Sequence, residues 1–433
     1  MIKVCDAIMG SGKSSAAITF INSNPDRHYI YIAPYLDESQ RIAEACHGLG
    51  FVEPSVFGAK KGVSKVSHIR ELLEHGCNIS STQQAIPYYT EDMFDMIHDK
   101  EYTVIIDEVV DVFDDVNKPV NSKSNSVPKY NYEISANDVD LLVAGGYLKE
   151  TKPGEFHHTG KEFTGLIYEK VLAKIKTCPI VQINNEDPND LRGWKWVFPK
   201  RIFESAKDVY ILTYMFDCSQ MALFFRINNL DYIKIGVSHP DRQTYCFCDH
   251  VDYIPDYVNG LPDMIDICDN KKMNAIGEKR TALSMHWYDN YDISSPEVKQ
   301  LKNNLSNYYL NILSDIPSCQ RMTGIYESAW PLVKTKGCGK KDINFVVFNQ
   351  KSQNKWGSYT ALSYMSNVFL NPNIKNYFSG RGEKINEDEY ALSTLIQWIW
   401  RSAIRNGKQV HIYIPSKRMR NLLIDWIDSV SRG

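Results

Sequence analysis

The chain of 433 residues has no uninterrupted apolar run near the roughly 18 residues that a membrane-spanning helix needs, so no partner membrane is expected. Its first residues lack the basic, then apolar, then small-residue pattern of a secretory signal, so the expectation is a cytoplasmic protein, in the host cytoplasm if viral. The ten cysteines are scattered, and a chain this long can bury a core without disulfides, so reduced thiols are expected. Cys246, Cys248 and His250 in "CFCDH" have metal-binding residue types. However, no second cysteine pair stands at the spacing of a zinc knuckle or ribbon. An excess of charge is missing too: 49 Lys and Arg face 52 Asp and Glu, for a net charge of −3. That balance excludes a histone-like binder, and any grip on nucleic acid must come from a local groove or from contacts gated by a second ligand.

What is present begins at once. "IKVCDA" is a short apolar run, consistent with a buried strand, and "MGSGKSS" then opens the small-residue and apolar segment "SAAITFIN". A strand, a glycine-rich turn and a helix form the setting in which backbone N–H groups converge on phosphate oxygens at a helix N-terminus. The usual spacing is Gly-x4-Gly-Lys-Ser/Thr. Here Ala7 replaces the first glycine, and Met9, Gly10, Ser11, Gly12, Lys13, Ser14 and Ser15 follow. Lys13 is expected on the β- and γ-phosphates of ATP and the Ser14 hydroxyl on Mg2+. A bare glycine turn before an ordinary helix would lack the Gly-Lys-Ser run.

A phosphate loop needs a metal-side acid, and "YTVIIDEVVDVF" supplies one. Val104, Ile105 and Ile106 form a β-branched run that delivers Asp107 and Glu108 at its C-terminal end, where ligands of open α/β sheets bind. Asp107 is expected to hold Mg2+ and Glu108 to orient and deprotonate the attacking water. Taken alone, the two could be solvated acids after an edge strand.

With these two motifs the chain resembles the superfamily 2 helicases and translocases, the DEAD/DEAH-like group, and in detail the compact helicases encoded by bacteriophages. The resemblance implies two tandem RecA-like P-loop domains with parallel sheets, ATP in the cleft between them and a nucleic-acid strand across the top. "YIYIAPYLDESQRI" looks like the next family motif, a strand, a turn at Pro34 and a helix from near Asp37. "NISSTQQAI" takes the place of a strand-contacting segment, with Ser81, Thr82 and Gln83 as donors to phosphate oxygens. In "VYILTYMFDCS", Thr213 matches the threonine of the family's Ser-Ala-Thr motif. "ALSTLIQWIWRSAIRNGKQVHIYIPS" resembles the arginine-finger motif, with Gln397, Arg401 as the finger and Arg405 second. On a continuous helix these three lie along one face at i, i+4 and i+8. A basic amphipathic helix with a solvated face is the alternative. Asp388 in "GEKINEDEYALS" is the residue expected to meet both nucleotide and strand.

The implied organisation is a first domain over 1–225, with an insertion over roughly 115–200, and a second domain over 226–433. The polar stretch "VNKPVNSKSNSVPKYN" and the segment "KETKPGEFHHTGKEFTG" read as irregular. In the second domain "YIKIGV", "INFVVFNQ" and "VHIYIPS" read as strands, with helices near Tyr359–Phe369, Ala391–Asn406 and Lys417–Val430. The expected activity is ATP-dependent movement on single-stranded or forked nucleic acid, DNA ahead of RNA, alongside replication or recombination proteins. A DNA-packaging type of ATPase, a small-molecule kinase and an ATP-binding regulatory switch are the alternatives. The first needs a nuclease domain with clustered acids, and the second leaves half the chain unexplained.

Overall fold

A computed structural model of the chain describes residues 1–54, 64–120, 129–130, 132–165, 167–183, 190–241, 243–250, 253–350 and 354–432. Part of the polar stretch after Val116, residues 121–128 and 131, lies outside the described residues.

The strands run along the chain as β1 (Ile2–Asp6), β2 (Tyr29–Ala33), β3 (Ile79–Thr82) and β4 (Thr103–Asp107). Then come β5 (Phe113–Asp115), β6 (Pro119–Val120), β7 (Lys129–Tyr130), β8 (Leu148–Lys152), β9 (Glu155–His158), β10 (Ile180–Gln182) and β11 (Trp194–Val197). The series continues with β12 (Asp208–Thr213), β13 (Tyr232–Ser238) and β14 (Cys246–Cys248). It ends with β15 (Ile265–Ile267), β16 (Arg321–Ile325), β17 (Phe345–Val347), β18 (Ala361–Tyr364) and β19 (Val410–Tyr413).

Seven strands form the first sheet in the order β14-β13-β1-β12-β4-β2-β3. All its pairings are parallel except that of β14 with β13. The sequence of this sheet explains its two-sided burial. Val4, Ile30, Ile32, Val104, Ile106, Val209 and Ile211 enter one apolar cluster. Their neighbours Cys5, Tyr29, Tyr31, Ile105, Tyr210 and Leu212 enter another. Side chains alternate between faces along a strand, so runs that are apolar at every position need cover on both sides. The helix Lys13–Asn22 buries Ala16 and Ala17 in the second cluster, and these small residues let it lie close to the strands.

Between β4 and β12 the chain makes a separate antiparallel sheet, β5-β11-β10-β9-β8, with its own core around Trp194, Trp196, Leu172 and Leu142. The insertion expected over roughly 115–200 is therefore a folded antiparallel module starting at Phe113. The stretch read as irregular around Pro153 is the hairpin of β8 and β9, turned at Gly154 with φ +72°. Its charged outer positions hide the alternation that marks a strand.

The third sheet, β15-β19-β18-β16-β17, is wholly parallel. Tandem α/β domains with parallel sheets, the first carrying an insertion, are thus what the chain forms. The boundary differs from the one read in the sequence. The first compact unit comprises Met1–Ala7, Gly12–Asp252 and Asn371–Ile385, and the second Ile8–Ser11, Tyr253–Leu370 and Asn386–Gly433. "YIKIGV" is β13, which pairs with β1 and so belongs to the first sheet. The excursion Asn371–Ile385 belongs to the first unit because Tyr377 and Phe378 enter its core, and Glu383 and Arg381 pair with Arg226 and Glu155 there. The helix expected near Tyr359–Phe369 is instead β18, four fully buried residues between β16 and β19. The helix Lys417–Arg432 forms as expected.

Candidate functional site

In the first unit the C-terminal ends of β1, β12 and β4 lie side by side, with β12 between the other two. Asp6 ends β1, and its carboxylate accepts from the backbone N–H groups of Met215 and Phe216 at 2.7 and 3.2 Å. The Ala7 N–H donates to the Thr213 carbonyl at 3.1 Å. These bonds pin the start of the glycine turn to the end of β12.

Gly12 stands at φ +84°, immediately before the helix Lys13–Asn22. A Cβ there would come within 2.1 Å of the Tyr245 ring, so both backbone and packing require glycine. Ser15 sits half-buried in the first helical turn. The division into units runs through the turn itself. Within the second unit the Met9 carbonyl accepts from the Tyr257 hydroxyl, Gly10 adopts φ +75°, and Ser11 is buried.

Lys13 donates from Nζ to the Ala7 carbonyl at 2.6 Å. Burial lowers its pKa, and the charges of Glu108, Cys5, Asp107 and Asp6 oppose that shift. The Ser14 hydroxyl donates to Asp107 Oδ2 at 3.3 Å, and the Tyr31 hydroxyl donates to the same oxygen at 2.9 Å. Asp107 is 9% exposed. Burial, then the nearby charges of Glu108 and Glu38, push its pKa up to about 7, while the Tyr31 bond and Lys13 pull the other way. Burial therefore favours the neutral form of this acid far more than in a solvated carboxyl.

Glu108 follows with φ +68°, in the left-handed region, and its N–H donates to the Leu212 carbonyl at 2.9 Å. The Thr213 hydroxyl is buried and has no hydrogen-bond partner among the described residues. A buried donor left unsatisfied is costly unless a ligand or water meets it. The residues fit a nucleotide with its cation: a lysine and a serine at a helix N-terminus, the serine hydroxyl on a carboxylate, and a second carboxylate and an unsatisfied hydroxyl at strand ends.

The segment expected at the nucleic-acid strand differs from its reading. Pro34 makes the turn before the helix Leu36–Ala45, as expected. Ser81 and Thr82, however, are buried in β3, where they pair with β2 rather than offering hydroxyls at the surface. Gln83 donates its side-chain amide to the carbonyls of Asp107 and Glu108 at 3.2 and 3.1 Å.

In the second unit the helix Glu387–Ile399 carries Asp388 and Gln397. It stops before the arginines. The Arg401 and Ser402 N–H groups bond three residues back, to Trp398 and Ile399, and the Ser402 hydroxyl takes the Ile399 carbonyl at 2.6 Å. A 3-10 turn over Ala403–Asn406 follows. Gln397, Arg401 and Arg405 therefore do not share one helical face: Arg401 is 5% exposed, Arg405 is exposed, and the Gln397 amide donates to Ser393 at 3.2 Å. Asp388 accepts from Arg418 Nε at 2.7 Å, and the same guanidinium also donates to Asn367, Val368 and Glu387.

Residues 259–427 match the family model described as the YonV C-terminal Rossmann-like domain. Over 438 aligned positions, covering 99% of each chain, the protein is 33% identical to the SPbeta prophage-derived protein YonV of Bacillus subtilis (strain 168). The chain belongs to the YonV family. Its fold is also similar to that of an XPD helicase structure, with a TM-score of 0.46 and 10% identity over 100% of this chain and 95% of that one. The S. tokodaii Xpd4 structure scores 0.41 at 11% identity, over 98% of this chain and 94% of that one. The DUF1998 helicase MrfA, bound to DNA and AMPPNP, scores 0.35 at 9% identity, over 99% of this chain and 48% of that one.

Three residues of this YonV-family chain escaped the sequence reading: Tyr31 on Asp107, Tyr245 over Gly12, and Arg418 on Asp388. Tyr31 could have been found, since it lies at an inward position of "YIYIA" two residues before the strand end. Tyr245 and Arg418 carry no local signal, because their roles arise from tertiary packing.

Proposed function

We propose that this chain is an ATP-dependent helicase or translocase that couples hydrolysis to movement on single-stranded or forked nucleic acid, DNA ahead of RNA. The observation that carries this reading is the bond between Ser14 and Asp107, at 3.3 Å across 93 residues of sequence. It brings the phosphate-loop hydroxyl and the strand-end acid to one point, as a cation on a triphosphate requires.

In this reading Lys13 binds the β- and γ-phosphates, and Ser14 with Asp107 holds Mg2+, which neutralises charge developing on the phosphoryl oxygens. Glu108 orients and deprotonates the water. Thr213 offers its unsatisfied hydroxyl to the same site. Arg401, with Arg405 and Gln397, is the second unit's contribution, and Asp388 acts through its pairing with Arg418. The prophage origin of the relative supports a phage setting, in the host cytoplasm, with replication or recombination proteins as partners.

The test is ATP turnover by the purified protein with and without a panel of single-stranded polynucleotides. The expected result is stimulation that fades as salt rises, because backbone phosphate contacts dominate such binding. Equal rates with and without every polynucleotide would contradict the proposal.

A further inference from the structure

Gln83 opens the 3-10 turn Gln83–Tyr88 that follows β3, the edge strand of the first sheet. Its Nε2 reaches two consecutive backbone carbonyls, those of Asp107 and Glu108. In an extended strand successive carbonyls point to opposite sides, and one donor cannot serve both. Here it can, because Glu108 leaves the strand with φ +68° and swings its own carbonyl round. The two carbonyls flank the φ and ψ rotations of Glu108, so holding both fixes both. A non-glycine residue persists in the left-handed region only where its surroundings over-determine it. The Glu108 N–H bond to Leu212 supplies one constraint, and the Gln83 amide supplies the other two.

The geometry points to Gln83 as the positioning residue for Glu108: it fixes the backbone that aims the carboxylate, without meeting the reacting atoms. This rests on the reading of Glu108 as the base for hydrolysis. It also changes the role of Gln83 from an expected contact on nucleic acid to a brace for the acid turn. Its amide nitrogen meets the backbone of Asp107 and Glu108 at their carbonyls and so acts on the site through the main chain.

The test compares Gln83→Met, which keeps the length and removes the donor, with Gln83→Glu, which turns an acceptor toward two carbonyl oxygens. Turnover, Mg·ADP affinity and the urea midpoint are measured for each, beside wild type and Glu108→Gln. The expected result is a kcat lowered about 10- to 100-fold in both variants, as for a misplaced catalytic group, with Mg·ADP affinity within about twofold of wild type. The urea midpoint should not move. A kcat unchanged in both variants overturns the assignment, and so does a parallel fall in kcat, affinity and midpoint, which is the mark of general support for the fold. If wild type turns over ATP and Glu108→Gln does so equally fast, the base reading itself fails and this inference falls with it.

Discussion

The end of β4 and the end of the helix Glu387–Ile399 each close an element that the sequence read as carrying catalytic residues, and they behave differently. At β4 the expectation needed only that a buried strand deliver its last residue to a sheet edge. Parallel pairing with β12 and β2 on either side fixes that edge, and Asp107 arrives beside Ser14. At the helix the expectation needed regular geometry to continue for one more turn. A serine hydroxyl on the Ile399 carbonyl and the change to three-residue spacing end the helix first, so the periodic argument no longer applies to Arg401 and Arg405. Strand-end positions are held by neighbours on both sides, whereas helix-end positions depend on a single capping event.

Substitution in the two regions can break or sharpen this contrast. The largest difference should come from the arginines. Arg401→Ala should lower ATP turnover by about 10³-fold, the low end for an arginine that stabilises the transferring phosphoryl group. Arg405→Ala, at an exposed position outside the helix, should cost far less. Equal losses would mean that the two act as a pair despite the helix ending before them, and no loss from Arg401→Ala would contradict its proposed role in hydrolysis.

At the β4 end the effect is smaller and depends on pH. The Asp107 pKa of about 7 lies above the value near 3.9 of an unfolded chain, so the folded state binds this proton more tightly. Ionising Asp107 therefore penalises the metal-free fold: the penalty is absent below about pH 4 and complete above about pH 7. Asp107→Asn should stabilise the protein in EDTA by on the order of 4 kcal/mol at pH 8 and by little at pH 4, as read from urea midpoints. A variant equally or less stable than wild type at pH 8 would show that Asp107 is not held near neutrality.

How much of this was legible follows from the same contrast. "MGSGKSS" and "TVIIDE" could be read because apolar strand runs and glycine turns are local in sequence, and parallel pairing converts them into one site. β18 was misread as a helix because four fully buried residues show no period-two pattern. β13 was assigned to the wrong domain because a strand's sequence does not name its neighbours. The excursion Asn371–Ile385 could not be seen, since only the docking of Tyr377 and Phe378 into the first core reveals it. Gln83 was placed in the right neighbourhood with the wrong contact. Its amide could serve either a phosphate or a carbonyl, and only the left-handed turn at Glu108 makes the carbonyls available.

The central claim is that Lys13, Ser14, Asp107 and Glu108 form a site that binds and hydrolyses ATP with Mg2+. It is tested most directly by single-turnover hydrolysis of ATP in Glu108→Gln against wild type, with binding measured on the same samples. The account predicts nucleotide affinity close to wild type and hydrolysis slowed by about 10³-fold, within the range for losing a general base. Hydrolysis at the wild-type rate in that variant, with nucleotide bound, would contradict it.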